Sequence, residues 1–394
     1  MTDEGVLNKR GRVDQLAVKR VGVIGGGQLA WMMADAAKKL GIELVVQTPS
    51  QDDPAVAIAH ETIFAPVDDA TATAQLAAQT DVVTFENEFV NLEALGHQDI
   101  DFRPRLETLK PLLDKYNQRC FLRECNLPTP QFWRLEDYSS PQFPIVLKTR
   151  RHGYDGQGTF IVRNQTDWEA ILQTLKSCPL LVEEFIPFER ELAAIAARSQ
   201  TGEIVVYPIV ETHQKHQVCH WVIAPADIPQ SVAADVEAIA RTILSRLEAV
   251  GIFGIEFFLT ADQQVLVNEI APRTHNSGHF TLDACVTSQF EQQLRAVSDL
   301  ALGNPALKSG GAVMVNLLGY ETAQNDYSEK RQRLAAIPKS VVHWYGKSQS
   351  RPGRKLGHVT VLLEAPSAAE LHHQALTLTE TIEAIWYEVP EQFS

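Results

Sequence analysis

Two acidic residues in one apolar hairpin carry the clearest chemical signal in the chain. The stretch GIEFFLTADQQVLVNEIAPR reads as two strands around a turn at Ala261 to Gln264. If Thr260 pairs with Val265, the same register sets Glu256 directly opposite Glu269. Cβ atoms in such a pair lie about 5 Å apart, so two carboxylates there repel unless a cation sits between them. Hard oxygen ligands with no His or Cys beside them favour Mg2+ bridging nucleotide phosphates. A slipped register would instead leave one glutamate in solvent. The hairpin runs into NEIAPRTHNSGH, which gathers Asn268, Glu269, Arg273, His275, Asn276 and Ser277 in one short stretch. A loop needed only for solubility is usually built of Lys, Glu, Gly and Ser, so this mixture reads as a surface made to hold something polar.

Three further constellations invite a functional reading. Lys148 closes the apolar run PIVLK and is followed by Gly153, Tyr154, Asp155, Gly156, Gln157 and Gly158, with Arg150 and Arg151 adding charge. A glycine loop exposes backbone N–H groups that can wrap a triphosphate, and the lysine supplies a mobile charge. The pattern is not the Walker GxxxxGK[ST], so another nucleotide-binding architecture is required; an ordinary hairpin with a loose turn is the plainer reading. The turn Gly25-Gly26-Gly27-Gln28-Leu29-Ala30 fits GxGxxA, but the acidic residue that an NAD site wants after the second strand is replaced by Gln47. A tight strand-to-helix turn, or a site for one phosphate, is left. HWYGKSQSRPGRKLGH sets Lys347, Arg351, Arg354 and Lys355 among glycines in an acidic chain, either as a local anion site or as a solvated basic loop. HQKHQVCH offers His213, His216, Cys219 and His220 without a partner cluster, and a polar strand end is preferred there to structural zinc.

The elements that position these residues follow from periodicity and composition. With 394 residues, 45% apolar and 21% charged, the chain can bury a large core and divide into two or three domains. Its 35 basic and 49 acidic side chains give a net charge of −14, which disfavours general binding to nucleic acid or anionic membrane. Five scattered cysteines without a CxxC pair, a polar start and no run of roughly 18 apolar residues point to the cytoplasm. RVGVI, IELVVQ and TDVVTFENEF alternate with a helix WMMADAAKKLG stopped by Gly41, which predicts an open α/β sheet. A β-rich region begins after the helical segment LKPLLDKYNQRCFLRECNLPTP. IPQSVAADVEAIARTILSRLEAVG is an amphipathic helix with Val232, Val236, Ile239, Ile243, Leu247 and Val250 on one stripe and Gly251 as its cap. Past GNPALKSGG, a smaller module holds the strands AVMVNLLG and HVTVLLEA and the helix AAELHHQALTLTETI.

In this order, GVIGGGQLAWM, DVVTFENE, VLKTRRHGYDGQGTF, FERELAAIAAR, NEIAPRTHNSGHFTLDACVTSQFEQQLRA and YGKSQSRPGRKLGHVTV resemble the ATP-grasp superfamily. Within it they resemble the 5-(carboxyamino)imidazole ribonucleotide synthases of purine biosynthesis, over nearly the whole chain from Val18. The resemblance implies a three-domain α/β and α+β fold. Its parts are a mobile extension 1–17, an N-terminal α/β domain 18–108, an ATP-grasp domain 109–305 with a β-rich lid near 140–190, and a small C-terminal β-rich domain 306–394. It implies a ligase joining bicarbonate to aminoimidazole ribonucleotide at the expense of ATP with Mg2+, through carboxyphosphate, in a cytoplasmic homodimer.

The resemblance also implies roles. Lys148 and the loop Gly153 to Thr159 touch ATP phosphates, with Lys115 nearby where the family more often has arginine. Glu183, Glu184, Phe185 and Ile186 form a hinge strand at adenine, Glu191 takes the ribose, and His213 lies at the nucleotide's edge. Glu256, Asn268 and Glu269 carry the metal. Arg273 faces the transferring phosphate or bicarbonate, and His275, Asn276 and Ser277 face the reacting carbon and imidazole. Gln28, Leu29, Glu86, Tyr154 and Asp155 hold the ribonucleotide, whose phosphate is gripped by Lys347, Arg354 and Lys355. FENEF departs from the family order, which leaves Glu86 and Glu88 as alternatives for one contact. Formate-dependent transformylases and biotin carboxylases share the nucleotide site, but RPGRKLGH and HNSGH argue against both. An NAD oxidoreductase would rest on the GxGxxA turn alone, and a non-catalytic nucleotide sensor would have little need of a metal pair.

Overall fold

The computed structural model describes residues 19–151, 158–175, 178–215, 217–347 and 349–388. The extension 1–17, the loop residues Gly153 to Gln157 and His216 lie outside them. Strands β1 (Arg20–Ile24), β2 (Glu43–Thr48), β3 (Glu61–Phe64) and β4 (Val82–Phe85) pair in parallel in the order β3-β2-β1-β4. Their near-continuous apolar runs suit a parallel sheet covered on both faces, and Val21, Val23, Ile24, Val45, Val46 and Val83 are buried. The helix Ala34–Leu40 ends as its sequence predicts, with Gly41 left-handed at φ 69°.

A second, antiparallel sheet follows. β5 (Phe132–Arg134), β6 (Ile145–Thr149), β7 (Thr159–Val162) and β8 (Leu180–Glu184) pair in the order β5-β8-β6-β7, and Trp168 of the helix Gln165–Thr174 packs on Leu147, Val162 and Val182.

The third sheet holds nine strands among the described residues: β9 (Phe188–Arg198), β10 (Ile204–Val206), β11 (Val210–Lys215), β12 (Val218–Ala224), β13 (Gly251–Thr260), β14 (Val265–Ala271), β15 (Gly311–Leu318), β16 (Ser340–Trp344) and β17 (Lys355–Leu363). Its order is β14-β13-β9-β11-β12-β15-β17-β16, with β10 on β9. The helix Gln230–Arg246 lays Val232, Val236, Ile239 and Ile243 against β9 and β13. It stops earlier than its apolar stripe suggests. Leu247 caps it, Glu248 takes the positive φ of 47°, and Gly251, at φ 120°, opens β13 instead. A side chain on Gly251 would meet Gln293, since its Cβ would stand 2.9 Å from Oε1.

The C-terminal strands extend the same sheet. β15 pairs with β12, from Trp221 opposite Val315 to Ala224 opposite Ala312, so they continue the central sheet. The helix Ala368–Trp386 closes this end, with Trp386 donating its indole N–H to the Leu318 carbonyl at 2.7 Å.

The first sheet is joined to the third by the helix Gln289–Val297, whose Phe290, Leu294 and Val297 belong to the core around β1 and β2. Gln293 spans the joint: its Oε1 accepts from Ile252 N–H at 2.6 Å and its amide donates to the Thr84 hydroxyl at 2.7 Å. Gln293→Leu strands both partners in the interior and is expected to lower stability by about 1–3 kcal/mol in equilibrium urea unfolding. An unchanged midpoint would show that the joint does not depend on this amide.

Candidate active site

The hairpin β13–β14 sets the site. Its turn is one residue tighter than the Thr260–Val265 register: Leu259 lies opposite Val265, and Thr260 N–H donates to Gln264 O at 3.0 Å. A bulge then absorbs the difference, because Phe257 pairs with Val267 but Glu256 pairs with Glu269, leaving Asn268 as the extra residue. The two carboxylates therefore face each other as the sequence predicts. Asn268 turns to the same side, where its amide donates to Glu256 Oε2 at 3.4 Å and its oxygen accepts from Lys148 Nζ at 3.1 Å.

Charge of both signs is concentrated here. Burial, then the neighbouring Glu269 and Glu191, push the Glu256 carboxyl up to about 8, against the pull of Lys115. Burial alone would raise Glu269 as well, but Lys115, 2.8 Å away, and Lys148 hold it below the usual carboxylate range. On β9, burial carries Glu191 up to about 7, offset in part by the Gln214 backbone N–H. His213 stacks on Trp221 with ring centres 4.9 Å apart at 12°.

The side chain of Glu183 points into the interior, between Arg119 and Lys148, whose Nζ is 2.7 Å away. Burial would raise its carboxyl, yet the two cations bring it down to about 2. Burial lowers Lys148 in turn, and Glu183 opposes that shift. Arg119 also donates to the carbonyls of Val267 and Asn268, at 3.2 and 2.7 Å, and so secures the bulge. Nothing in the linear sequence singled Arg119 out. The signal available was helical spacing: Lys115, Gln118, Arg119 and Leu122 share one face of the helix Lys115–Glu124, and that face points at β14. Glu184 accepts from Gln131 N–H at 2.8 Å, the Ile186 carbonyl accepts from Phe188 N–H, and Phe185 is half-buried. Gly158, at φ 84°, sits where a Cβ would strike Thr149, and Thr159 lies opposite Lys148 on β7.

The loop after β14 holds the polar cluster that the sequence brought forward. Gly254, opposite Ala271, admits it, since a Cβ there would stand 2.4 Å from that of His275. Arg273 donates to Glu88 Oε2 at 2.7 Å. His275 is framed by Gln289, which accepts its N–H at 3.0 Å and donates to its carbonyl at 2.8 Å. The His275 ring reaches Ser277 Oγ at 2.8 Å through Nδ1 and Glu256 Oε1 at 3.7 Å through Nε2. Asn276 departs from its expected role facing the reacting carbon: it is buried in a reciprocal amide pair with Asn316 of β15, at 3.0 and 2.8 Å.

Glu86 and Glu88 take different positions. Glu88 meets Arg273, whereas Glu86 lies half-buried on the glycine turn, accepting from the Gly27 and Leu29 N–H groups. Burial raises its carboxyl and Arg273 works against that shift. A Cβ on Gly27 would lie 2.4 Å from Glu86 Oε1, so the close approach of this carboxylate explains the glycine. Beside Leu29, Gln28 accepts from Lys347 Nζ at 2.7 Å, and Lys347 also donates to the Lys355 carbonyl at 2.8 Å. Both ends of the chain thus meet there. Arg354 donates to the Gln349 carbonyl at 2.7 Å, and its pKa is lowered by burial and by Arg351.

Three family models match the chain: a ribonucleotide synthetase preATP-grasp domain over residues 18–110, an ATP-grasp domain over 120–290, and a phosphoribosylaminoimidazole carboxylase C-terminal domain over 312–373. With Lys148 on one antiparallel sheet and the carboxylate pair on the other, fold and site are those of an ATP-grasp ligase, an ATP-dependent enzyme. The N5-carboxyaminoimidazole ribonucleotide synthase of Synechococcus elongatus is 54% identical over 94% of this chain and 96% of its own length, and that of Synechocystis is 53% identical over 93% and 98%. The chain belongs to the N5-carboxyaminoimidazole ribonucleotide synthase family. A solved structure of the Aspergillus clavatus synthase, in complex with ADP and 5-aminoimidazole ribonucleotide, superimposes with a TM-score of 0.83 at 31% identity, covering 93% of this chain and 98% of that one. Among the described residues no helix is long and apolar enough to cross a membrane.

Glu183→Gln leaves Arg119 and Lys148 as two buried cations without their counter-ion. A loss of about 3–5 kcal/mol is expected in urea unfolding at pH 7. Because the folded carboxyl is held down near 2, its contribution is present above its ordinary value of 4.5 and fades as pH falls toward 2. The gap between wild type and variant should narrow over that window; a gap independent of pH would contradict the assignment.

Proposed function

We propose that the chain carboxylates 5-aminoimidazole ribonucleotide with bicarbonate and ATP, giving 5-(carboxyamino)imidazole ribonucleotide, ADP and phosphate in purine biosynthesis. The observation that carries this reading is the convergence of Glu256, Asn268 and Glu269 with Lys148 on one side and His275 on the other. Lys115, Lys148, Gly158 and Thr159 meet the ATP phosphates beneath the four-stranded sheet, which acts as a lid. Glu184, Phe185 and Ile186 border adenine, and Glu191 takes the ribose with His213 at the edge. The donor set of two facing carboxylates and a carboxamide oxygen, all oxygen, fits Mg2+, which Glu256 and Glu269 would hold. When bound, the ion neutralises phosphate charge.

Bicarbonate is a poor electrophile, so one of its oxygens first attacks the γ-phosphorus and the bond to ADP breaks. Arg273, held by Glu88, lies beside the charge that develops. Carboxyphosphate hydrolyses readily, and a closed lid excludes water until the substrate amine takes its carbon, directly or as carbon dioxide, and phosphate leaves. His275 and Ser277 border the reacting carbon, and Asn276 and Asn316 hold the loop that carries them. Gln28, Leu29 and Glu86 line the ribonucleotide site, with Lys347, Arg354 and Lys355 at its phosphate. A cytoplasmic homodimer completes this reading, and light scattering checks the dimer.

ADP release with each substrate omitted in turn tests the reaction. Full turnover is expected only with bicarbonate and 5-aminoimidazole ribonucleotide together; equal release with formate or biotin in their place would refute it. Arg354→Ala should raise the KM for the ribonucleotide far more than that for ATP, whereas equal shifts would remove the residue from the phosphate site.

With no metal, Glu256 is protonated below pH of about 8, so Mg2+ must displace that proton. The apparent Mg2+ affinity of the enzyme should fall as pH drops from 8, by up to about tenfold per unit. Calorimetry in buffers of different ionisation enthalpy reads the released proton, and none released at pH 7 would count against the metal role of Glu256.

A further inference from the structure

Behind the loop that carries His275 lies a second polar cluster that the ligase chemistry does not use. His343 of β16 and His358 of β17 face each other across neighbouring strands, with rings stacked at 4.5 Å and 19°. Asp283, from the short helix Thr281–Ala284, brings Oδ2 to 2.9 Å from His343 Nε2. One donor atom from each of these three residues lies within 4.8 Å of the other two. His358 is fully buried, and its Nε2 has no hydrogen-bond partner among the described residues. The Tyr345 hydroxyl, 2.8 Å from His358 Nδ1, can accept the proton there and leave the Nε2 lone pair for a ligand. His279, whose ring centre is 5.2 Å from that of His358, adds a second buried Nε2 without a partner. A buried nitrogen left unpaired is destabilising, and coordination of a cation by His358 offsets that cost.

We propose that Asp283, His343 and His358 form a binding site for a transition-metal dication of the Zn2+ class, separate from the facing glutamates Glu256 and Glu269. Two imidazoles and one carboxylate are the donor set of zinc sites that keep an open position, whereas Mg2+ prefers oxygen alone. The ion takes the place of the proton shared by Asp283 and His343. His343 and Asp283 are partly exposed, which gives the ion its entry path. Once bound, it ties β16 and β17 to the helix that follows Ser277, and so braces the loop of His275 from behind. Tyr345 acts as the positioning residue for His358.

The full-length protein, stripped with a chelator, is dialysed against zinc chloride in excess Mg2+, and bound metal is counted by mass spectrometry. One zinc per chain is expected to remain. His343→Ala and Asp283→Asn should each retain less than a tenth of it, and Tyr345→Phe should weaken binding by about 10–100-fold. Cobalt loading should give the visible bands of a four- or five-coordinate nitrogen and oxygen site in the wild-type protein, which decides the matter even if a variant folds poorly. The proposal is overturned by the absence of stoichiometric zinc, by zinc retained at the wild-type level in both ligand variants, by displacement of the ion with Mg2+, or by a thiolate charge-transfer band assigning it to Cys219.

Discussion

Two carboxylates held face to face on neighbouring strands are the constraint on which the rest of this structure depends. Neither Glu256 nor Glu269 would stay ionised there unaided, and the neighbouring elements are arranged around that problem. The helix Lys115–Glu124 delivers Lys115 to Glu269, and β6 delivers Lys148 to the shared carboxamide of Asn268. Glu183 then holds Lys148 and Arg119 in place from below. Lys115, Lys148 and Arg119 each meet a partner from a distant part of the chain, so the site exists only when two sheets and a helix are assembled together.

The same logic governs the loop beyond β14. His275 is held through its backbone by Gln289, and Asn276 is matched to Asn316, so the loop is fixed by groups that need not touch substrate. Buried amides of this kind are stable only when satisfied on both sides. Their pairing ties the helix Gln289–Val297 and β15 to the geometry of the reacting centre.

Much of this was legible in the residues themselves. Facing strands, a lysine before a glycine loop and a dense polar stretch after the second strand are local patterns, and the facing glutamates came out as read. The turn did not: its register was misplaced by one residue, and the bulge at Asn268 restored the pairing. Bulges depend on partners such as Arg119, which lies 149 positions from Asn268, and no local pattern announces them. Gly251 was misread as a helix cap because a positive φ serves a strand opening as well as a helix end. The triple glycine at 25–27 resembled a phosphate cradle, yet the Gly27 and Leu29 N–H groups of that turn serve the carboxylate of Glu86, a partner that spacing along the chain does not disclose.

Strand β15 is hydrogen-bonded along both edges, to β12 on one side and β17 on the other. The polypeptide from β15 onward is therefore not a cassette that could be exchanged or cut away. Its removal would bare the rim of β12 and deprive Asn276 of its mate.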